Sequence, residues 1–112
     1  MANNVYQRAA ARRDLIGHFV YLAEASGLEL ADRFFHEAEK TFFELSLQPE
    51  IGAPLARTPP EFAGMRKWRV KTFESFLIFY VPQDDGVTIT RVLYATQNWW
   101  GLLGMDPQPE TE

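Results

Sequence analysis

The hydrophobic positions change period along the chain. From Leu15 onward, Ile16, Phe19, Val20 and Ala23 recur at i, i+3, i+4 and i+7, with Leu15 and Leu22 widening the stripe into one buried helical face. Good helix formers at Ala9 to Arg13 carry this helix back to a short strand expected at Val5 and Tyr6. Ser26-Gly27 ends it, because glycine accepts the left-handed backbone that follows a last turn. A second helix places Ala31, Phe34, Phe35, Ala38, Phe42 and Leu45 on one side and Glu37, Lys40 and Glu44 on the other. So short a link predicts an antiparallel helical hairpin.

Pro49 stops the second helix, and Gly52, Pro54, Pro59 and Pro60 keep the next segment irregular. Ile51, Leu55 and Phe62 are available to anchor it where it wraps across an edge of the domain. From Gly64 to Tyr94 the period becomes two. In the first run Trp68 and Val70 share one face while Arg69 and Lys71 share the other. The second, Phe76 to Val81, is apolar at every position, as a strand covered on both sides requires, and Pro82 is expected to end it. Asp84-Asp85-Gly86 supplies a hairpin turn, and Val87 to Tyr94 returns antiparallel. Alternation puts Arg91 between Ile89 and Leu93 on a sheet surface, free for a ligand or paired with a helix glutamate.

These elements predict an α+β fold: an antiparallel helical hairpin packed on a three- to four-stranded antiparallel sheet. A chain of 112 residues, 46% hydrophobic, can bury one core, so residues 1–104 read as a single domain followed by a loose acidic tail at 105–112. Trp99, Trp100, Leu102 and Leu103 either pack back on the domain or present an apolar surface to a partner. The absence of cysteine removes disulfides and thiolate metal sites, and with no apolar run of membrane-spanning length the expectation is a soluble, cytoplasmic protein.

A net charge of -4 argues against coating nucleic acid by bulk electrostatics. The charge is segregated, however. Arg66, Lys67, Arg69 and Lys71 fall within six positions, and acids gather at Glu37, Glu39, Glu44 and Glu50. Cations on a rigid strand can hold phosphate, arginine through a bidentate fork; a basic face can equally protect a sheet edge. Arg66, Arg69, Lys71 and Arg91 are therefore the candidate target or phosphate contacts. His18 and His36 lie on different helices without a ligand at i+3 or i+4, the serines lack a nucleophile-elbow pattern, and the glycines form no phosphate loop. No metal or cofactor is expected. Tyr80 and Tyr94 could move protons in RNA chemistry, or simply be buried tyrosines with one satisfied hydroxyl.

The runs G-M-R-K-W-R-V-K-T-F, F-L-I-F-Y and D-G-V-T-I-T-R-V-L-Y resemble the ParE branch of the RelE/ParE toxin superfamily, whose members are often labelled plasmid stabilisation proteins. The resemblance spans residues 5–98 and rests on Gly64, Met65, Arg66, Trp68, Val70, Phe73, Leu77 to Tyr80, Asp85, Gly86, Ile89 and Arg91 to Leu93, with Ala11 and Asp14-Leu15 upstream. It implies the same helical hairpin on an antiparallel sheet.

For function, the resemblance implies a type II toxin held inactive by a cognate antitoxin in a hetero-oligomer. Contact with DNA would run only through the antitoxin. Relatives of the ParE branch are associated with DNA gyrase, those of the RelE branch with ribosome-dependent mRNA cleavage. The closer motif match favours a target-binding, gyrase-directed toxin over an endoribonuclease. In the endoribonuclease alternative Tyr94 is the candidate proton-transfer group and catalytic residues are otherwise unassigned. One departure stands out: where the family often continues R-V-L-H-x-x-R-D, this chain has Tyr94, Gln97 and Asn98. A weakened toxin or a non-toxic antitoxin-binding module is the remaining reading, with Trp99, Trp100, Leu102 and Leu103 as the partner-binding candidates.

Overall fold

The computed structural model describes residues 3–56 and 58–104; the acidic tail assigned to 105–112 lies outside the described residues. In chain order the elements are β1 (Asn4–Gln7), α1 (Ala9–Ser26), α2 (Leu28–Leu47), β2 (Ala53–Pro54), β3 (Arg66–Val70), β4 (Phe73–Gln83), β5 (Gly86–Tyr94) and α3 (Trp99–Leu102). A single 3-10 turn at Pro60–Phe62 interrupts the segment between β2 and β3. Gly27, at φ 101°, serves both as the end of α1 and as the start of α2, so the hairpin has a one-residue link that only glycine adopts without strain.

The sheet has five strands in the order β1-β5-β4-β3-β2, rather than three or four. The three long strands are antiparallel as their alternation predicts, but β1 runs parallel to β5. β1 is the short strand expected at Val5 and Tyr6, but no local period carries its parallel place beside β5. It is held instead by specific bonds: the Asn4 N–H to the Asp85 carbonyl (2.9 Å) and the Tyr6 hydroxyl to the Asp85 carboxylate (2.7 Å). Gly86, at φ 154°, lets the Asn4 backbone approach where any Cβ would collide with it.

β4 is buried from Phe76 to Tyr80, so the wholly apolar run is the central strand. It does not stop at Pro82, which pairs with Val87. β3 has already ended its pairing at Tyr80, and a residue without an N–H is tolerated where a strand has one neighbour. On one face the hairpin packs through Ala11, Leu15, Phe34, Phe42 and Leu45 onto Val70, Ile78, Tyr80 and Ile89. On the other face Met65, Leu77, Phe79, Leu93, Trp99 and Leu103 form a second cluster, covered by α3 and the segment between β2 and β3.

Two faces differ from the periodicity reading. In α1 the buried stripe runs through Ala11 and Leu15 with His18 and Leu22 partly covered, leaving Ile16 58% and Val20 46% exposed. The helix is rotated because Asp14 and His18, polar residues that a hydrophobic count discards, must face β5. In β5 a bulge sets Thr90 and Arg91 against the single residue Phe79. Ile89 and Leu93 therefore fall in opposite clusters, and Arg91 does not lie between them on one face.

Candidate functional site

Parallel pairing of β1 with β5 ends where the Arg8 N–H meets the Ile89 carbonyl (3.0 Å), which leaves the rest of that β5 edge without a strand. α1 covers it with side chains one turn apart. The Asp14 carboxylate accepts the Val92 N–H (2.9 Å), and the His18 Nε2–H donates to the Val92 carbonyl (2.8 Å). The bulge turns Arg91 toward the same carboxylate, which receives Nε at 2.7 Å and Nη2 at 3.0 Å in a fork. This bond holds Arg91 still more firmly in its charged form. Of the candidate contacts, Arg91 is therefore joined to α1, and its partner is the aspartate Asp14 rather than a helix glutamate. The sequence marked Asp14 only as a position of the family resemblance and His18 only as a helix-face histidine; the signal for their joint role was their i, i+4 spacing on a stripe otherwise apolar.

A second junction fixes the segment leaving α2. Buried Tyr80 donates to the Pro49 carbonyl (2.7 Å) and accepts the Gly52 N–H (2.9 Å), so both capacities of its hydroxyl are used structurally. Burial raises its pKa above 10.0. Arg66 Nη1 donates to the carbonyls of Glu50 (3.1 Å) and Gly52 (2.7 Å). A Cβ at Gly52 would press on the Tyr80 hydroxyl and the Lys67 carbonyl, which is why glycine stands there.

The remaining cations line β3 and the turn after it. Lys67 and Arg69 share the sheet face of Phe79 and Leu77, their partners across the ladder. The Lys67 ammonium stands 5.6 Å from the Trp99 ring centroid, and burial together with the neighbouring Arg69 charge lowers its pKa. Exposed Arg69 donates from Nη1 to the Glu74 carbonyl (2.7 Å), bridging the turn in which Thr72 takes φ 64°. Lys71 is exposed, and its main-chain N–H is held by Thr41 Oγ1 (3.2 Å). With Trp68, Ile51 and Glu44, Lys67, Arg69 and Lys71 line a groove of about 710 Å³. Among the described residues no cluster of His, Cys, Asp and Glu could hold a metal ion.

At the C-terminal side, Tyr94 stacks on Phe76 (4.9 Å between centroids) and remains partly exposed. Gln97 Oε1 accepts the Tyr94 N–H (2.9 Å), and Asn98 Oδ1 accepts the Gly101 N–H (3.1 Å). The two amides at the family's charged positions thus close a turn and cap α3. Trp99 and Leu103 are core residues of the second cluster, with Trp99 against Phe79 (5.2 Å); Trp100 is half-buried and Leu102 exposed.

The profile of the family described as "ParE toxin of type II toxin-antitoxin system, parDE" matches residues 5–99. Among curated proteins no sequence matches this chain significantly. Among solved structures, a chain of the chromosomal ParDE TA system from P. aeruginosa is similar, at 18% identity and TM-score 0.64 over 82% of this chain and 95% of that one. At that identity the structural likeness speaks for the fold, and the profile match over most of the chain speaks for the family. No described helix is long and apolar enough to cross a membrane. The chain belongs to the ParE toxin family of type II toxin-antitoxin systems.

Proposed function

We propose that this ParE-type toxin inhibits DNA gyrase by binding it, and that a cognate antitoxin neutralises it by covering the binding surface. The observation that carries the reading is the division among the cations. Arg91 is held by the Asp14 fork and half-buried Arg66 by the carbonyls of Glu50 and Gly52, whereas Lys71 and Arg69 stand exposed beside Trp68 at the edge of the sheet, Arg69 giving one bond to the Glu74 carbonyl. Two cations and an aromatic ring on a rigid strand make a docking surface. Phosphodiester cleavage would instead call for charge and proton-transfer groups converging on one bond. The test is DNA supercoiling by purified gyrase. Inhibition by the free chain, relieved by added antitoxin and weakened in Lys71→Glu, is expected; unchanged supercoiling at large toxin excess refutes the gyrase target.

The exposed position of Tyr94 favours one competing reading, ribosome-dependent mRNA cleavage. Primer extension on translating ribosomes separates the two. Cuts in the A site that vanish in Tyr94→Phe would assign the activity to RNA, whereas their absence beside an active relative leaves the binding reading.

A further inference from the structure

We propose that the outer face of α1 pairs with the same face of a second copy of this chain, as two antiparallel helices related by a two-fold axis. The inference is independent of the gyrase reading.

The face is a by-product of how α1 is turned. With Asp14 and His18 directed at β5, the residues left outward include Arg13, Ile16, Gly17, Val20, Tyr21 and Glu24, spaced as one helical stripe. Ile16, Val20 and Tyr21 form its apolar centre, with Tyr21 60% exposed. Three large apolar groups side by side on a helix mark an interaction surface.

The stripe is complementary to itself. In an antiparallel pair whose axis is level with the peptide between residues 18 and 19, Arg13 stands opposite the partner's Glu24, Ile16 opposite the partner's Tyr21, and Gly17 opposite the partner's Val20. Each contact occurs twice. Arg13 and Glu24 make no ion pair among the described residues, so both charges are available. The charges of α1 also oppose its own dipole. No acid stands in the first turn, which holds Arg12, and no base in the last, which holds Glu24. An antiparallel neighbour corrects this, since its positive N-terminal end lies beside Glu24.

Gly17 supplies a separate observation. Glycine inside a helix is less stable than alanine, and a Cβ at this position would meet nothing within 4 Å, so the single chain gives no reason for it. Opposite the partner's Val20, the missing side chain lets the two helices close. The groove of Trp68, Arg69 and Lys71 lies by α2 and β3, separated by β4 from the strand that α1 covers. A dimer formed through α1 therefore leaves both grooves open and joins two docking surfaces in one particle.

The test is sedimentation equilibrium of the free chain. A reversible dimer is expected, with a dissociation constant on the order of 10 μM, because one helix pair lies at the small, transient end of interfaces. Gly17→Gln, which the open space around residue 17 accommodates, should weaken it at least tenfold without lowering the urea midpoint. Arg13→Glu and Glu24→Arg should each weaken it roughly tenfold. Mixed together, these two variants should form a heterodimer as tight as the unaltered one, because both pairs across the axis again join opposite charges. A monomer at every concentration overturns the proposal, as does a dimer indifferent to Gly17→Gln or charge variants that do not recover on mixing. A monomeric chain whose antitoxin binding is lost in Gly17→Gln overturns it too, and assigns the face to the antitoxin. If Gly17→Gln does not fold, the mixing experiment decides alone.

Discussion

Replacing Asp14 by alanine tests the central junction of the fold. The carboxylate is 13% exposed and accepts three hydrogen bonds, two from Arg91 and one from the Val92 N–H. Truncation strands a main-chain donor on a sheet edge and removes the counter-charge of a guanidinium that is itself only 28% exposed. An unsatisfied buried donor costs about 1–3 kcal/mol, and breaking a buried ion pair costs roughly 3–5 kcal/mol. Because Arg91 retains some water, we expect a total of about 3 kcal/mol, near the lower limit of the second range. For a domain of this size that corresponds to a fall of roughly 12 °C in Tm. Urea unfolding gives the free energy, and hydrogen exchange at Val92 gives the mechanism. The Val92 amide should lose protection in Asp14→Ala yet keep it in Arg91→Ala, where the bond from Val92 to Asp14 survives. A loss under about 1 kcal/mol, or equal exposure of the Val92 amide in both variants, would refute the edge-capping argument.

Three further outcomes follow from other junctions. Tyr80→Phe should cost about 1–2 kcal/mol in urea unfolding, because the Pro49 carbonyl and Gly52 N–H lose their shared partner. Since burial raises the folded-state pKa of Tyr80 above 10.0, its contribution is complete below pH 10 and is lost as pH rises through the folded value; the variant should lack that alkaline decline. Trp99→Ala should destabilise the isolated chain by roughly 3–5 kcal/mol, since the ring is 7% exposed and packs on Phe79, whereas a docking role alone would leave stability unchanged. Thr72→Asn should raise stability by up to about 1 kcal/mol, read as a higher urea midpoint, because a β-branched residue is strained at φ 64° and asparagine tolerates that region.

The two long helices, the order of the three long strands and the two-sided burial of β4 were legible because local pattern carries them. Gly27 between two amphipathic stretches, the apolar run at Phe76 to Tyr80 and the turn at Asp85-Gly86 each have a short-range physical cause. The ordered runs from Gly64 to Leu93 also carried the family. What the sequence could not determine depends on groups far apart in the chain. β1 joins the sheet parallel to β5 through Asp85, some eighty residues away. A single bulged residue in β5 reverses the alternation on which the placement of Arg91 depended.

The candidate site divides along the same line. Clustering of Arg66, Lys67, Arg69 and Lys71 is a property of the sequence, but whether each charge is free or committed is decided by backbone carbonyls and carboxylates that only folding brings near. Arg66 meets the carbonyls after α2, Arg91 meets Asp14, exposed Arg69 meets the Glu74 carbonyl across the turn, and Lys71 stands exposed. Sequence by itself determined the elements, the family and the row of cations. Tertiary structure decided which of those cations face outward, because hydrogen-bond partners come from neighbours in space.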